Sequence, residues 1–468
     1  MHRIKIYILL LVVLSGCTLP TFYQRFYTFN QSVSDGNLEA AEKMIKENEK
    51  KLEKGKLEFL FYVNAGTVLS MQGKFKESNE YFEKADLFVE DFKKKALEEG
   101  AALLLNPNLS TYRGEDQEIL MINYYKALNY LQMGDTENAL VEARRMNLRL
   151  QQLSEKYKSE RKYQKDAFIH LLMGIVYDAG GEFNNAFIAY RNALEIYEKE
   201  FLDMFQLGVP DQLKYDLIRT AHLSGLYSER DSYKNKFGLN YTSPTDEKGN
   251  LVMLWNNGLG PIKDEWGINF AIIYGSGGWV TFVNKDFGMS FPFYIGNSSL
   301  NGLTWIKVVF PKYVERPELF TSARMLYKEQ AYSFNRVEDL NAISFKVLEE
   351  RMMLEFGKSL LRVALKQVAA AQVGKENEGL GVALSLLGSA SESADTRNWQ
   401  TLPHSIYYTR ISLSPGEHEL KMHLKAVGGE IVEHIIDVDI NKGQTLVYPI
   451  NTMATTLKIK PMMPSYTK

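Results

Sequence analysis

Four glycines place the strongest constraint on how this chain can fold. Aligned on Gly36, Gly73, Gly134 and Gly181, the sequence has a small residue five positions later each time (Ala41, Ser78, Ala139, Ala186) and Phe29, Gly66, Ala127 and Gly174 seven positions earlier. In the second and fourth copies the register extends to Phe75 and Phe183, Phe82 and Tyr190, and Ala85 and Ala193. Two antiparallel helices approach closely only where small side chains meet, and glycine at the turn supplies the backbone freedom to reverse direction. Large aromatics then fill the space toward the next pair. Successive glycines are 37, 61 and 47 residues apart, against about 34 for an uninterrupted two-helix repeat. Insertions therefore separate the copies, with Ala101–Glu118 and Leu150–Lys165 as the extensions. Copies one and three are weaker, carrying Asn48 and Met146 where the others carry alanine.

The two strong copies, Tyr62–Phe75 and His170–Tyr190, resemble the tetratricopeptide repeat. The resemblance implies an α-solenoid over residues 25–237 of about eight to ten helices, with Pro210–Phe237 as a degenerate terminal cap. Its concave groove would bind a peptide or a protein surface.

From Gly238 the texture changes. Asn240–Asp246 is turn-rich, and β-formers cluster in Leu251–Trp255, Ile268–Tyr274, Trp279–Asn284, Met289–Tyr294 and Thr304–Phe310. A helical period returns at Glu338–Val373, with Ile343, Val347, Met353, Leu360, Leu361 and Leu365 as its apolar face. Gly379–Ala390 is too short to span a bilayer and is expected to be a buried packing segment. Five more strands follow at Ser405–Leu413, Glu417–Lys425, Ile431–Ile440, Thr445–Ile450 and Thr456–Lys460, with Pro415-Gly416 as a hairpin turn between the first two. The expected fold is multidomain α+β: the solenoid, a β-rich middle domain over 238–337, a helical segment over 338–390 and a small C-terminal β-sandwich over 391–468.

The start of the chain reads as an address. Basic residues precede an apolar run, Ile6–Leu14, that is short for a membrane span, and Leu14-Ser15-Gly16-Cys17 follows. The tetrad resembles the lipobox of bacterial lipoproteins, which implies cleavage after residue 16, acylation of Cys17 and a tether over 17–24. One acyl chain binds a membrane only marginally and two or more hold it stably. Thr18 rather than aspartate follows the cysteine, which points to the bacterial outer membrane. Cys17 is the only cysteine, so no intrachain disulfide or cysteine-clustered metal site can form.

Longer blocks sharpen the resemblance. Tyr112–Asp116, Tyr124–Leu131, Ala139–Arg145, Asn256–Lys263 and Asp395–Pro403 are similar to a family of uncharacterised bacterial tetratricopeptide outer-membrane lipoproteins. Its members accompany lipoproteins related to penicillin-binding-protein activators and to the curli export pore. The resemblance implies envelope protein partners and assigns no catalytic residue. Asn256 stands where an acidic residue is commoner in that family.

Little in the chain specifies a reaction. With 55 Lys+Arg against 57 Asp+Glu, the net charge of −2 excludes a dominant nucleic-acid footprint. His418 and His423 are five apart in strand-like sequence, so they face opposite ways and make no metal pair. No cofactor, metal or nucleophile motif is read. The charged residues singled out are Arg113, Glu115 and Asp116 with Arg144 and Arg145, expected to pin the inserted loop against the third repeat or to meet a partner. In Asp395–Trp399, Arg397 is expected to bridge the helical segment to the β-domain with Trp399 buried between them. The leading expectation is a lipid-anchored envelope scaffold. The alternatives are a cell-wall polymer enzyme using paired carboxylates from Asp264, Glu265, Glu349 and Glu350, or a subunit of an export pore or surface structure.

Overall fold

The computed structural model describes residues 20–53, 55–95, 110–156, 163–242, 248–296, 304–376 and 393–454. Leu14–Cys17, the Gly379–Ala390 segment and the run Thr456–Lys460 expected as a strand lie outside the described residues. The N-terminal half is helical and the remainder is mainly β-sheet.

The helical half begins with α1 (Phe22–Arg25), α2 (Tyr27–Ser34) and α3 (Leu38–Leu52), followed by α4 (Glu58–Met71) and α5 (Phe75–Lys95). Next come α6 (Asp116–Gln132), α7 (Thr136–Lys156), α8 (Ala167–Ala179) and α9 (Phe183–Ile196), the last continued by a π-helical turn at Tyr197–Phe201. The short α10 (Leu202–Phe205) leads to α11 (Asp211–Leu223) and α12 (Tyr227–Phe237). Consecutive helices pair, and each pair packs on the next.

The turns share one chemistry. Gly36, Gly73, Gly134 and Gly181 all have φ between +71° and +75°. At each, the residue after the glycine donates its N–H to the carbonyl five before it: Asn37 to Ser32, Lys74 to Leu69, Asp135 to Tyr130 and Glu182 to Tyr177. This is a Schellman closure, which satisfies the carbonyls left open at a helix end. Gly225 closes α11 onto α12 identically, with φ +73° and Leu226 bonded to Ala221. The segment expected as a degenerate cap thus contains a fifth such turn. Within pairs, small meets large rather than small: a Cβ on Gly66 would lie 2.8 Å from the Phe82 ring, and one on Gly174 would lie 2.3 Å from Tyr190.

Twelve strands form three four-stranded sheets among the described residues. They are β1 (Gly249–Asn257), β2 (Ile262–Tyr274), β3 (Trp279–Asn284), β4 (Met289–Tyr294), β5 (Trp305–Val314), β6 (Phe320–Tyr327), β7 (Gln330–Ser333), β8 (Asn335–Asp339), β9 (Ser405–Leu413), β10 (Gly416–Ala426), β11 (Ile431–Ile440) and β12 (Thr445–Asn451). The first sheet has the order β12-β1-β9-β8, the second β11-β10-β6-β7 and the third β4-β3-β2-β5. One long helix, α13 (Leu340–Glu376), lies between β8 and β9 in sequence.

This topology corrects the expected domain limits. Residues 391–468 do not close on themselves: β9 pairs with β1 and β8, β12 runs parallel to β1, and β10 pairs with β6. The first two sheets draw strands from both β segments, because a long-range partner won over the neighbour in sequence. Pro415-Gly416 is accordingly a crossover from the first sheet to the second, not a hairpin. Leu251, Met253 and Trp255 on one face of β1 join Leu420, Met422 and Leu424 in the inter-sheet core. Val252 and Leu254 on its other face join the core of the helical stack. The first sheet is therefore a middle layer, and a strand buried on both faces reads as a continuous apolar run. The α13 helix changes partner along its length. Ile343 and Val347 pack with the helical stack, whereas Phe356, Leu360 and Val363 pack on the third sheet. Met353 and Leu365, expected on its apolar face, are instead 64% and 46% exposed.

Candidate functional site: the filled groove

Helices α4, α6 and α8 are buried almost all round; every residue of α4 from Phe59 to Leu69 is covered. A helix buried on all sides has packing partners on more than its own layer. Here the second partner is the first sheet together with residues 393–404.

That segment has no regular structure, so its polar groups must find partners elsewhere. They find them on the helices. Phe22 N–H donates to Thr396 Oγ1 at 2.9 Å, and Asn30 Nδ2 donates to Gln400 Oε1 at 2.7 Å. Thr401 donates to Asn64 at 2.9 Å, and Trp399 Nε1 donates to Thr67 at 3.2 Å. The Trp399 ring sits 5.9 Å from Phe82 and 5.8 Å from Tyr125, which stack on each other at 5.2 Å. Aromatics of the repeats and the indole thus share one buried cluster.

Arg397 is buried and is held by Asp395 at 2.7 Å. It donates to the Ser110 carbonyl at 2.8 Å and the Lys56 carbonyl at 3.3 Å, with its guanidinium over the Tyr112 ring. These contacts tie the β half to loops of the helical stack; none of them is to the described part of the 338–390 segment.

Glu115 lies beside this anchor. Its carboxylate pairs with Lys263 at 2.5 Å and with Arg351. Burial raises its pKa, but those two cations outweigh burial and hold it at about 2. Its neighbour Glu118 accepts from Trp399 N–H at 2.7 Å, Tyr112 OH at 2.8 Å and Glu115 N–H at 3.0 Å. Burial and then the Glu115 charge push Glu118 up to about 7. A second pair of buried acids sits where α8 meets β8: burial lifts Asp166 to about 6, and burial followed by Asp166 lifts Glu338 further.

The remaining charged residues separate. Arg113 is half-buried on the loop before α6. Asp116 pairs with Lys156 at 2.8 Å, and Arg144 makes an exposed pair with Glu182 at 3.3 Å. Arg145 bonds Asp86 at 3.0 Å and Glu83 at 3.3 Å in a network around Lys126, which is fully buried between Glu83, Asp86 and Glu142. The adjacency of Arg144 and Arg145 in sequence hides this split, since consecutive helix residues point 100° apart.

The carboxylates considered for cell-wall chemistry have separate partners. Asp264 faces Lys312 at 3.9 Å, Glu265 accepts from Ala394 N–H, Glu349 pairs with Lys346 and Glu350 accepts from Tyr163 N–H. His418 bonds Tyr327 and His423 bonds Glu433. Among the described residues no group of three or more His, Cys, Asp or Glu is placed to hold a metal ion. Asn256 accepts from Tyr124 OH at 2.7 Å, so it supplies the acceptor that an acidic residue there would also offer.

No family model matches the chain, and no curated protein is similar to it. Sixteen chains of solved structure match. One is BtubC (BKLC) from P. vanneervenii, 13% identical, covering 46% of this chain and 80% of that one with a TM-score of 0.31. Another is a tetratricopeptide repeat protein from Parabacteroides merdae, 16% identical, covering 47% and 80% with a TM-score of 0.20.

Proposed function

We propose that the chain is a lipid-anchored scaffold of the bacterial outer membrane, held through acylated Cys17 and working beside other envelope lipoproteins. The Leu14–Cys17 tetrad supports the anchor. Among the described residues no helix is long and apolar enough to cross a membrane, and in this proposal the acyl chains make the attachment. The five glycine-turned pairs are then a divergent tetratricopeptide solenoid whose concave side is given to its own chain.

One observation carries the scaffold reading and relocates its docking surface. The inward residues of the third sheet, including Phe270, Ile272, Val280 and Ile306, are buried under α13. Strand alternation turns Ile273, Trp279 and Trp305 to the other side, where they join Tyr294, directly opposite Trp279. All four are 50% to 66% exposed. Contiguous exposed aromatics mark interaction surfaces more often than scattered ones do. In this proposal a protein partner docks there rather than in the groove. Crosslinking in native envelopes tests it: Trp279→Glu with Trp305→Glu should lose the partner crosslinks seen with the parent protein, and retained crosslinks would remove this surface. Separately, Cys17→Ser should abolish labelling by a fatty-acid analogue and release the protein from membranes.

A further inference from the structure

Between the first helices of the stack lies a cavity that the groove-filling segment borders with Gln400 but leaves open. It has a volume of about 440 Å³, within the range of small-molecule sites, and is bounded by α1, α2, α3 and the start of α4. Phe22, Ile45, Leu60 and Phe61 form its floor, each no more than 9% exposed. Its walls are apolar as well, with Phe26, Phe29 and Leu57 half-buried around it. Three buried amides also border it, and each already donates within the protein: Asn30 to Gln400 at 2.7 Å, Asn64 to the Leu60 carbonyl at 2.6 Å and Gln400 to Asn398 at 3.3 Å. Apolar surface held open in this way gains free energy when a hydrocarbon replaces the water against it.

The mouth differs in character from the interior. Arg25 and Lys51 border the cavity with exposed side chains, and among the described residues no acid lines it. Neither cation makes an ion pair among the described residues. The charges that Arg25 feels most, Arg397 and Asp395, are opposite in sign and paired with each other at 2.7 Å. The acids flanking Lys51 in sequence are engaged elsewhere: Glu49 accepts from Tyr81 OH at 2.9 Å, and Glu53 pairs with Lys84 at 3.0 Å. Residues 1–19 and Lys54, which adjoin these segments in sequence outside the described residues, include no acid. An apolar interior with cations only at the entrance complements a hydrocarbon chain that ends in an anion. An apolar peptide side chain would meet the walls but bring no charge to the mouth. An acyl group on Cys17 would be uncharged and would leave both cations unused.

We propose that this cavity binds a fatty acid, its hydrocarbon chain among Phe26, Phe29, Leu57 and Leu60 and its carboxylate at the mouth with Arg25 and Lys51. The proposal does not depend on lipidation of Cys17, and Cys17→Ser in the full chain removes any competing acyl group of its own. Titration calorimetry of that chain with dodecanoate, octanoate and dodecyltrimethylammonium tests it. Dodecanoate should bind saturably, one to one, and at least about tenfold tighter than octanoate, because each further buried methylene adds to affinity. It should also bind about tenfold tighter than the cation of equal chain length. Arg25→Gln with Lys51→Gln should erase that preference for the anion, and Phe29→Ala with Leu57→Ala should weaken dodecanoate binding by about tenfold. Trp279→Glu with Trp305→Glu, on the third sheet, should leave it unchanged. Absence of saturable one-to-one binding, equal binding of octanoate or of the cation, or loss of binding in the third-sheet variant would overturn the proposal. So would undiminished binding by the wall variant; if that variant is unfolded, the mouth variant, altered only at exposed positions, decides the matter.

Discussion

The junction of the helical stack with residues 393–404 and the third sheet are both rich in aromatic residues, but they are held in different ways. At the junction, Trp399, Tyr112, Phe82 and Tyr125 are threaded with charges: Arg397, Glu115, Glu118 and Lys263 are all buried and all hydrogen-bonded across the boundary between the two halves. The third sheet packs Phe270, Phe282, Phe310 and Phe356 into an apolar core to which, among the described residues, none of α1–α12 contributes. Apolar contact is non-directional, whereas a buried charge must meet its partner in one geometry or bear an uncompensated desolvation cost. The junction is thus fixed in register, while the third sheet and the end of α13 form a unit with its own core.

The largest effects should separate these regions. Trp399→Ala removes the indole from the middle of the junction and two of its hydrogen bonds, and should cost about 3–5 kcal/mol in global stability by chemical denaturation. Phe356→Ala, whose ring lies 4.2 Å from that of Phe310, should cost a similar amount of about 3–5 kcal/mol locally. In hydrogen exchange, its loss of protection should be confined to β2–β5 and the second half of α13. Equal loss of protection in the helical stack would refute the independence of the third sheet. Lys263→Met leaves Glu115 buried with Arg351 as its remaining cation. It should cost about 3 kcal/mol, the low end for breaking a buried pair.

The sequence shows local chemistry well and long-range pairing poorly. Trp279–Asn284, Met289–Tyr294 and Ile431–Ile440 have the limits expected of them, because turn residues bracket each run. The glycine turns follow from a requirement for positive φ that few other residues meet. The β6–β8 region gives no clear strand signal in sequence because Phe320–Asp339 alternates buried Phe320, Ala323, Met325 and Val337 with exposed polar residues and ends in the short edge strands β7 and β8. Its pairing with β9 and β10 depends on segments far along the chain. The site divides in the same way. Arg397 and Trp399 were readable as buried, since an arginine and a tryptophan in a polar turn-like run need partners. Lys263 and Glu118, which complete that cluster, carried no local signal: each becomes special only when the 393–404 segment lies down on α4 and α6.

The junction should also respond to pH in a defined direction. Glu118 has a folded pKa of about 7, above its ordinary value of 4.5, so the folded state holds a proton that the unfolded chain releases. Its contribution is complete below about pH 4.5 and is lost as the pH rises through 7, on the order of 3 kcal/mol. Asp166 and Glu338 are shifted the same way. The contribution of these carboxyls should therefore decline from pH 4.5 to 7, opposed by buried His170, which burial pushes down to about 4, and Glu118→Gln should remove the Glu118 part of the decline in urea denaturation at several pH values. A variant with the parent slope would mean that Glu118 stays ionised, its three donors outweighing burial.

The smallest effect tests the split between two neighbouring arginines. Arg144 is 59% exposed and pairs with Glu182, itself 30% exposed, and such pairs contribute little in water. Arg144→Ala should change stability by less than about 0.5 kcal/mol. Arg145→Ala should cost more, about 1–2 kcal/mol, because it withdraws one cation from three carboxylates, two of which, Asp86 and Glu142, are buried. The two variants differ by one position on one helix, and helix propensity contributes equally to both. A difference between their denaturation midpoints therefore reports on partners alone, and equal midpoints would mean that Lys126 and Arg149, the latter also paired with Asp86, satisfy the buried acids without Arg145.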